Sequence, residues 1–224
     1  MHNKKPKPIK VFTKDETEDD LEKYRLMAKE LGASDATVIA AEKVHVDKRV
    51  LMKCSIPKCL GYGRSAHCPP HTIEPDKMSE LVQAYKYALL VKLDIQPSVV
   101  IDLTRDKGGK IVSKDTGAEY LKTCRRFSDI VTEVEYQAFY DGHYLATAFS
   151  SGSCGFNFCA SQECQILKGE PCRFPLRARP SMEACGMDAY RMATEAGWNI
   201  YPIGTDCNPA LVPHATLVGL VLVE

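Results

Sequence analysis

The sequence lacks any long hydrophobic run and any excess of charge of one sign. Its longest apolar stretch, Leu217 to Val223, is far shorter than the roughly 20 residues that a membrane-spanning helix needs. The basic start is followed by the acidic segment 13–20 rather than by the apolar run of a secretory signal, so we expect a cytoplasmic protein. Because 29 Lys and Arg balance 29 Asp and Glu, there is no reason to expect a nucleic-acid or membrane partner.

Familiar catalytic motifs are absent as well. The chain has no phosphate-binding G-x-x-x-x-G-K-[ST] loop, no G-x-G-x-x-G after a strand, no H-E-x-x-H and no G-x-S-x-G elbow. It also lacks the C-x-x-C of thioredoxins and the three closely packed cysteines of radical enzymes that use S-adenosylmethionine. These absences argue against nucleotide-dependent and hydrolytic chemistry, and they leave open whether the protein is an enzyme.

What the sequence has in excess is cysteine, with ten in 224 residues. In a reducing compartment, thiols more often ligate metals than form disulfides. The sharper of two cysteine groups has the spacing C-x4-C-x4-C-x7-C, within glycine-containing sequence that allows a tightly wound loop. Four thiolates from a compact loop are typical of a 4Fe–4S cluster, and structural zinc is the alternative. The ligands predicted for this site are Cys154, Cys159, Cys164 and Cys172.

The other group has the spacing C-x4-C-x8-C and supplies three thiols, Cys54, Cys59 and Cys68. Cys68 is followed by Pro69, as in ferredoxin loops, where proline stiffens the exit of the loop. This group is one ligand short of four. A distant thiol or a nearby histidine completes the site, or one iron stays open to water or substrate as a Lewis acid.

The candidates for the missing ligand differ in their surroundings. Cys124 and Cys185 fall on the apolar faces of predicted helices, so a buried core position is favoured for both. Cys207 lies in a loop and is the better remote thiol. His71 and His67 flank the Cys-Pro-Pro turn, where a histidine is more often a hydrogen-bond donor beside a metal site than a ligand. Three arginines follow the last cysteine of the second group: Arg173, Arg177 and Arg179. They form a solvated surface, or their positive charge offsets the negative charge of a thiolate-bound cluster.

Hydrophobic periodicity predicts an α/β or α+β fold, in which a mixed sheet with flanking helices carries two cysteine-rich metal loops. We expect a single metal-binding domain over residues 1–224, with an extended N-terminal arm over residues 1–14 and a polar loop over residues 96–115. The predicted helices are 17–31, 75–84, 118–140 and 181–196. The predicted strands are 35–46, 49–53, 87–95, 144–149 and 217–223.

The cysteine groups and their neighbours resemble a known family, the predicted metal-binding proteins of domain of unknown function 2284. The resemblance covers residues 54–198. It rests on Cys54-x4-Cys59, Gly61-Tyr62-Gly63, Cys68-Pro69-Pro70, Cys154-Gly-Phe-Asn-Phe-Cys159 with Cys164, Pro171-Cys172-Arg173 with Pro175, and Ser181-Met182-Glu183-Ala184-Cys185-Gly186-Met187-Asp188. It implies metal binding at the seven grouped cysteines, with iron–sulfur clusters as the expected group, in a family found largely in anaerobic bacteria and archaea. It implies no substrate.

These observations predict a cytoplasmic iron–sulfur protein with one or two 4Fe–4S clusters. The four-cysteine cluster is expected to transfer electrons to or from a redox partner protein. The three-cysteine cluster is a second relay or the place of chemistry. Two alternatives remain: a structural zinc-binding scaffold module, and an enzyme that binds a small substrate at an open iron.

Overall fold

The computed structural model describes residues 5–101, 114–160, 162–203 and 207–224. Its strands are β1 (Asp35–Ala40), β2 (Tyr87–Ile95), β3 (Thr147–Phe149) and β4 (Ala215–Val223). Its helices are α1 (Lys14–Glu30), α2 (Lys48–Ser55), α3 (Pro75–Gln83), α4 (Pro97–Ile101), α5 (Lys114–Asp141), α6 (Cys154–Asn157) and α7 (Ala189–Glu195). Short 3₁₀ helices span Ala41–Lys43, Ile166–Lys168, Glu183–Cys185 and Pro209–Leu211.

The four strands form one sheet in the order β1-β2-β4-β3. The long central pair runs from Tyr87 opposite Val223 to Ile95 opposite Ala215. Every strand pairing among the described residues is antiparallel, and a parallel pairing occurs there only as an isolated bridge between Ser150 and Ser181. The fold is therefore α+β, which is one of the two predicted classes. The sheet is antiparallel, whereas we expected both parallel and antiparallel strands.

Both faces of the sheet are covered, which explains why β2 and β4 are apolar runs without alternation. Residues of β2 such as Leu89 and Val91 pack on the side of α1 and α5. Their neighbour Leu90 packs on the side of α3 and α7. Gly219 of β4 allows the ring of Phe127 on α5 to approach, because a Cβ at this glycine would lie 3.0 Å from that ring. Two apolar clusters result, one on each face of the sheet.

Two predicted elements have the wrong structure. The predicted strand 49–53 is instead helix α2, which begins after Asp47 because the Asp47 side chain accepts a hydrogen bond from Arg49 N. The predicted helix 181–196 is interrupted at Gly186, which has the left-handed φ of +79°. A new helix, α7, begins after Asp188, whose side chain caps it.

The other predicted elements are correct in type, and most differ from the structure at their ends. Strand β2 has the predicted limits, whereas the strand predicted over 35–46 ends at Ala40 and β3 covers only part of 144–149. Part of the loop predicted over 96–115 is helical in α4 and at the start of α5, and residues 102–113 lie outside the described residues. Residues 5–13 have no regular structure, and Lys7 N donates to Tyr140 O (2.8 Å). None of the described helices is long and apolar enough to span a membrane.

Candidate metal centre

The second cysteine loop begins where β3 ends and is held against α5. Ser150 N donates to Pro180 O (2.8 Å), and Met182 N donates to Ser150 O (3.1 Å), so both ends of the loop meet at the sheet edge. The guanidinium of Arg125 on α5 donates to the carbonyl of Asn157, which fixes the short helix α6 against the long one. The cysteines between these ends are thereby confined to one region.

All four cysteines of this loop line one cavity, as their predicted role as a single ligand set requires. The facing wall comes from the first cysteine loop, through Ser65, Ala66 and His67. The cavity is small, about 20 Å³. Its thiols belong to Cys154, Cys159, Cys164 and Cys172.

The surroundings of Cys164 favour the thiolate form of its side chain. The backbone N–H groups of Ala66, Leu167 and Ile166 interact with its sulfur, and Arg173 lies nearby. Burial opposes ionisation of this thiol, but these N–H groups and the positive charge outweigh it, so the pKa of Cys164 lies below its ordinary value. The thiolate is the form that binds metal.

Cys154 has the opposite environment. Burial raises the pKa of its thiol to about 12, against the opposing hydrogen bond with Ser65, and the neighbouring thiols of Cys68 and Cys159 add to the increase. Thiolates this close repel one another, and a bound cation would reverse the effect. A bound metal would therefore lower the pKa of this thiol.

The two cysteine loops contact each other through a reciprocal pair of serines. Cys68 Sγ of the first loop lies 3.2 Å from Ser153 Oγ of the second. Cys154 Sγ of the second loop lies 3.7 Å from Ser65 Oγ of the first. Gly61 sits at the crossing, where a Cβ would lie 3.3 Å from both Cys68 Sγ and the Ser153 side chain. The two predicted metal sites are therefore neighbours.

The three cysteines of the first group line a second, larger cavity of about 290 Å³. Cys54 is in the last turn of α2, and Cys59 N donates to Cys54 O (2.9 Å), which begins the turn toward Cys68. Tyr120 of α5 and Glu183 complete its walls. Burial raises the pKa of Cys54 to about 11, and Cys59, Cys68 and Glu183 add to the increase.

The remaining cysteines lie elsewhere. Cys124 and Cys185 are 0% and 1% exposed, one in each apolar cluster, so the predicted core positions are confirmed. Cys207 is not among the residues that line either cavity, and its sulfur lies 3.8 Å from Asn208 O.

The two candidate histidines, His67 and His71, differ in which cavity they line. His71 is exposed and lines neither cavity. His67 lines the four-cysteine cavity rather than the three-cysteine one. Burial, together with the charge of Arg179, lowers its pKa. Its buried Nδ1 has no hydrogen-bond partner among the described residues, so a group bound in that cavity would satisfy an otherwise unpaired atom.

Two of the three arginines after Cys172 are structural. Arg177 makes a two-pronged pair with Asp129 of α5 (2.7 and 2.8 Å). Arg179 pairs with the largely buried Glu135 of the same helix (2.9 Å). Only Arg173 remains exposed near the cysteines, where its charge favours the Cys164 thiolate.

Sequence reasoning missed Glu183, which borders the three-cysteine cavity although it lies more than 100 residues from Cys68. The only signal was its place in the run from Ser181 to Asp188. Among the described residues, no three His, Cys, Asp or Glu side chains converge closely enough to hold one metal ion.

The donor chemistry of the two cavities agrees with a comparison to known families. A profile described as predicted metal-binding protein (DUF2284) matches residues 37–223, which include all seven grouped cysteines. No curated protein and no protein of solved structure matches the chain. With most of its length matched, the chain belongs to the DUF2284 family of predicted metal-binding proteins.

Proposed function

We propose that this metal-binding protein is a cytoplasmic iron–sulfur protein that transfers electrons through two neighbouring clusters to or from a redox partner protein. Cys154, Cys159, Cys164 and Cys172 would hold one cluster, and a second set would hold the other: Cys54, Cys59 and Cys68. The observation that carries the proposal is the crossing of the two loops, which places two thiol-lined cavities side by side.

Three features of the four-cysteine cavity agree with a thiolate-ligated cluster, although a cavity of about 20 Å³ has to widen to admit one. Its donors are all thiols, the donor type of iron–sulfur proteins. The three backbone N–H groups at Cys164 are of the kind that stabilise cluster sulfurs and tune the reduction potential. The unpaired Nδ1 of His67 supplies one further polar contact for an occupant.

The contacts between the loops support a relay. The Ser153 hydroxyl can donate to a Cys68 thiolate, and the Ser65 hydroxyl can donate to a Cys154 thiolate. Each loop therefore stabilises a ligand of the other site. A cluster supplies reversible one-electron chemistry when bound, and this chain would hold its ligands and bring the two sites into contact.

A second candidate function rests on a groove beside the first site. Cys54, Cys59 and Glu183 also border an open groove of about 550 Å³, whose walls include Lys53 and Tyr190. Such a groove would admit a small substrate to an iron held by only three cysteines. In that case, addition of the substrate would perturb the spectrum of one cluster and leave the other unchanged.

Metal and sulfide analysis of protein purified without exposure to air tests the proposal, combined with EPR before and after reduction. Two cubane clusters predict about eight iron and eight sulfide per chain. Stoichiometric zinc without iron would instead support the structural zinc module, for which the small four-cysteine cavity leaves enough room.

Matched variants assign the clusters. Cys172→Ala should remove the signal of one cluster and Cys59→Ala that of the other, so that each variant retains about half of the iron. Cys207→Ala is the control, because Cys207 lines neither cavity, and it should keep the iron content of the wild type. Equal loss of both clusters in either loop variant would contradict two separate ligand sets.

A further inference from the structure

The three-cysteine site lacks a fourth ligand, and the structure narrows the choice among those that sequence reasoning considered. Cys124, on α5, is enclosed in an apolar cluster, and Cys207 and His71 do not line the cavity. His67 faces the other cavity. Glu183 is the acidic side chain in the wall of the three-cysteine cavity.

Backbone and side-chain hydrogen bonds fix the segment of Glu183 to both ends of the first cysteine loop. Before the loop, Asp47 N donates to Gly186 O (2.8 Å) at the start of α2, the helix that carries Cys54. After the loop, Thr72 Oγ1 donates to Ala184 O (2.8 Å). Glu183 is thereby held beside the cysteines by the same contacts that position the loop.

The Glu183 carboxyl lacks a countercharge among the described residues. The side chain is half-buried, and the guanidinium of Arg49, which borders the same groove, pairs with Asp47 instead. A positive metal group in the cavity would offset the charge of this carboxylate and of the three thiolates beside it.

We propose that the Glu183 carboxylate is the fourth protein ligand of the cluster held by Cys54, Cys59 and Cys68. This inference rests on the iron–sulfur function proposed above. A carboxylate oxygen is a harder and weaker donor to iron than a thiolate. Because Glu183, Cys54 and Cys59 all border the open groove, a small ligand could reach this cluster from solvent.

Cys185 is the competing ligand. It lies two residues after Glu183 in the same 3₁₀ helix, and Cys68 is close enough to affect its pKa. However, Cys185 is 1% exposed, packs with Met182 in an apolar cluster, and lines neither cavity. Binding by Cys185 would require its removal from that cluster.

Three variants, purified without air and compared with the wild type by iron analysis and EPR, test the inference. Glu183→Gln should retain the four-cysteine cluster and lose one iron from the other, which gives about seven iron per chain and a 3Fe–4S signal. Glu183→Cys should restore about eight iron, because a thiolate replaces the carboxylate. Cys185→Ser should keep the wild-type iron content and spectrum.

The retained four-cysteine signal shows that the Glu183→Gln protein is folded. An EPR spectrum unchanged in Glu183→Gln would overturn the assignment of Glu183, and so would loss of iron in Cys185→Ser but not in Glu183→Gln. Either result would leave the two-cluster function intact. Absence of iron from the wild type would overturn the proposed function itself, together with the inference that rests on it.

Discussion

At the scale of single residues, the hydroxyls of Ser153 and Ser65 give the clearest prediction. Ser153 Oγ lies 3.2 Å from Cys68 Sγ. A hydroxyl that donates to a ligand thiolate stabilises the added negative charge of the reduced cluster. We expect Ser153→Ala to lower the reduction potential of the Cys68 cluster by roughly 20–60 mV, the equivalent of a net hydrogen bond of about 0.5–1.5 kcal/mol. EPR-monitored redox titration measures the shift.

The reciprocal variant makes this prediction specific. Ser65→Ala should shift the potential of the other cluster, because Ser65 contacts Cys154. Ser55→Ala is the control: Ser55 is next to Cys54, but its hydroxyl bonds to the Met52 carbonyl. If Ser153→Ala leaves both potentials unchanged, or shifts only the Cys154 cluster, the crossing contacts do not act as proposed.

Residue spacing predicted the two cysteine groups, because ligands from one short loop are neighbours in sequence. It could not predict Glu183 at the first site, because only the fold brings residue 183 beside residues 54–68. Nor could the sequence predict which cavity His67 lines. His67 precedes Cys68 in sequence, yet it lines the cavity of the other loop, since the two loops cross.

At the scale of elements, the N-terminal arm, α1 and α5 meet at one buried carboxylate. Asp141, the last residue of α5, is 3% exposed and lies 2.9 Å from Lys7 Nζ. Tyr24 OH also donates to it (3.1 Å). Burial opposes ionisation of Asp141, but hydrogen bonds from Lys23 and Lys7 outweigh it and lower the pKa to about 2. The ionised carboxylate therefore stabilises the junction.

We predict that Asp141→Asn lowers the free energy of unfolding at pH 7 by about 2 kcal/mol, the value of a pKa held nearly two units below its unfolded value. Because the folded pKa is depressed, this contribution is complete above about pH 4 and is lost as the pH falls toward 2. Urea unfolding of both proteins at each pH measures the difference, and acid effects on the metal sites cancel in the comparison.

Asp129→Asn is the matched control for this prediction. Asp129 also lies on α5 and pairs with Arg177, but both side chains are more than 40% exposed, so its loss should cost less than about 1 kcal/mol. A difference between Asp141→Asn and wild type that stayed constant from pH 7 to pH 2 would contradict the role of the ionised carboxylate.

The elements that sequence reasoning predicted well are those with a long apolar pattern. Strand β2 has nine residues and both faces buried, and α5 has a continuous apolar stripe. Helix α2 was mistaken for a strand because five residues, 49–53, are too few to distinguish the two periodicities. The Asp47 cap was the local signal for a helix. The order β1-β2-β4-β3 depends on contacts between distant segments, which no local pattern encodes.

At the scale of the whole molecule, the sheet and the cysteine loops depend on different interactions. The two apolar clusters are closed by α1 and α5 on one face and by α3 and α7 on the other. The loops at residues 54–71 and 154–180 are held mainly by turn hydrogen bonds rather than by strand pairing, and they contain the seven grouped thiols. Bound metal should therefore order the loops more than it stabilises the sheet.

This difference predicts the result of metal removal. A chelator should leave the far-UV circular dichroism nearly unchanged while tryptic cleavage in the loops accelerates about tenfold or more, as expected for a loss of ~1.4 kcal/mol in the free energy of local opening. The exposed sites to follow by mass spectrometry are Lys58, Arg64 and Arg173. In Cys172→Ala, cleavage should accelerate after Arg173 and remain slow after Lys58, because only the second loop loses its metal. Cooperative unfolding on chelation would show instead that the metal sites hold the entire fold together, as in proteins that fold only with metal bound.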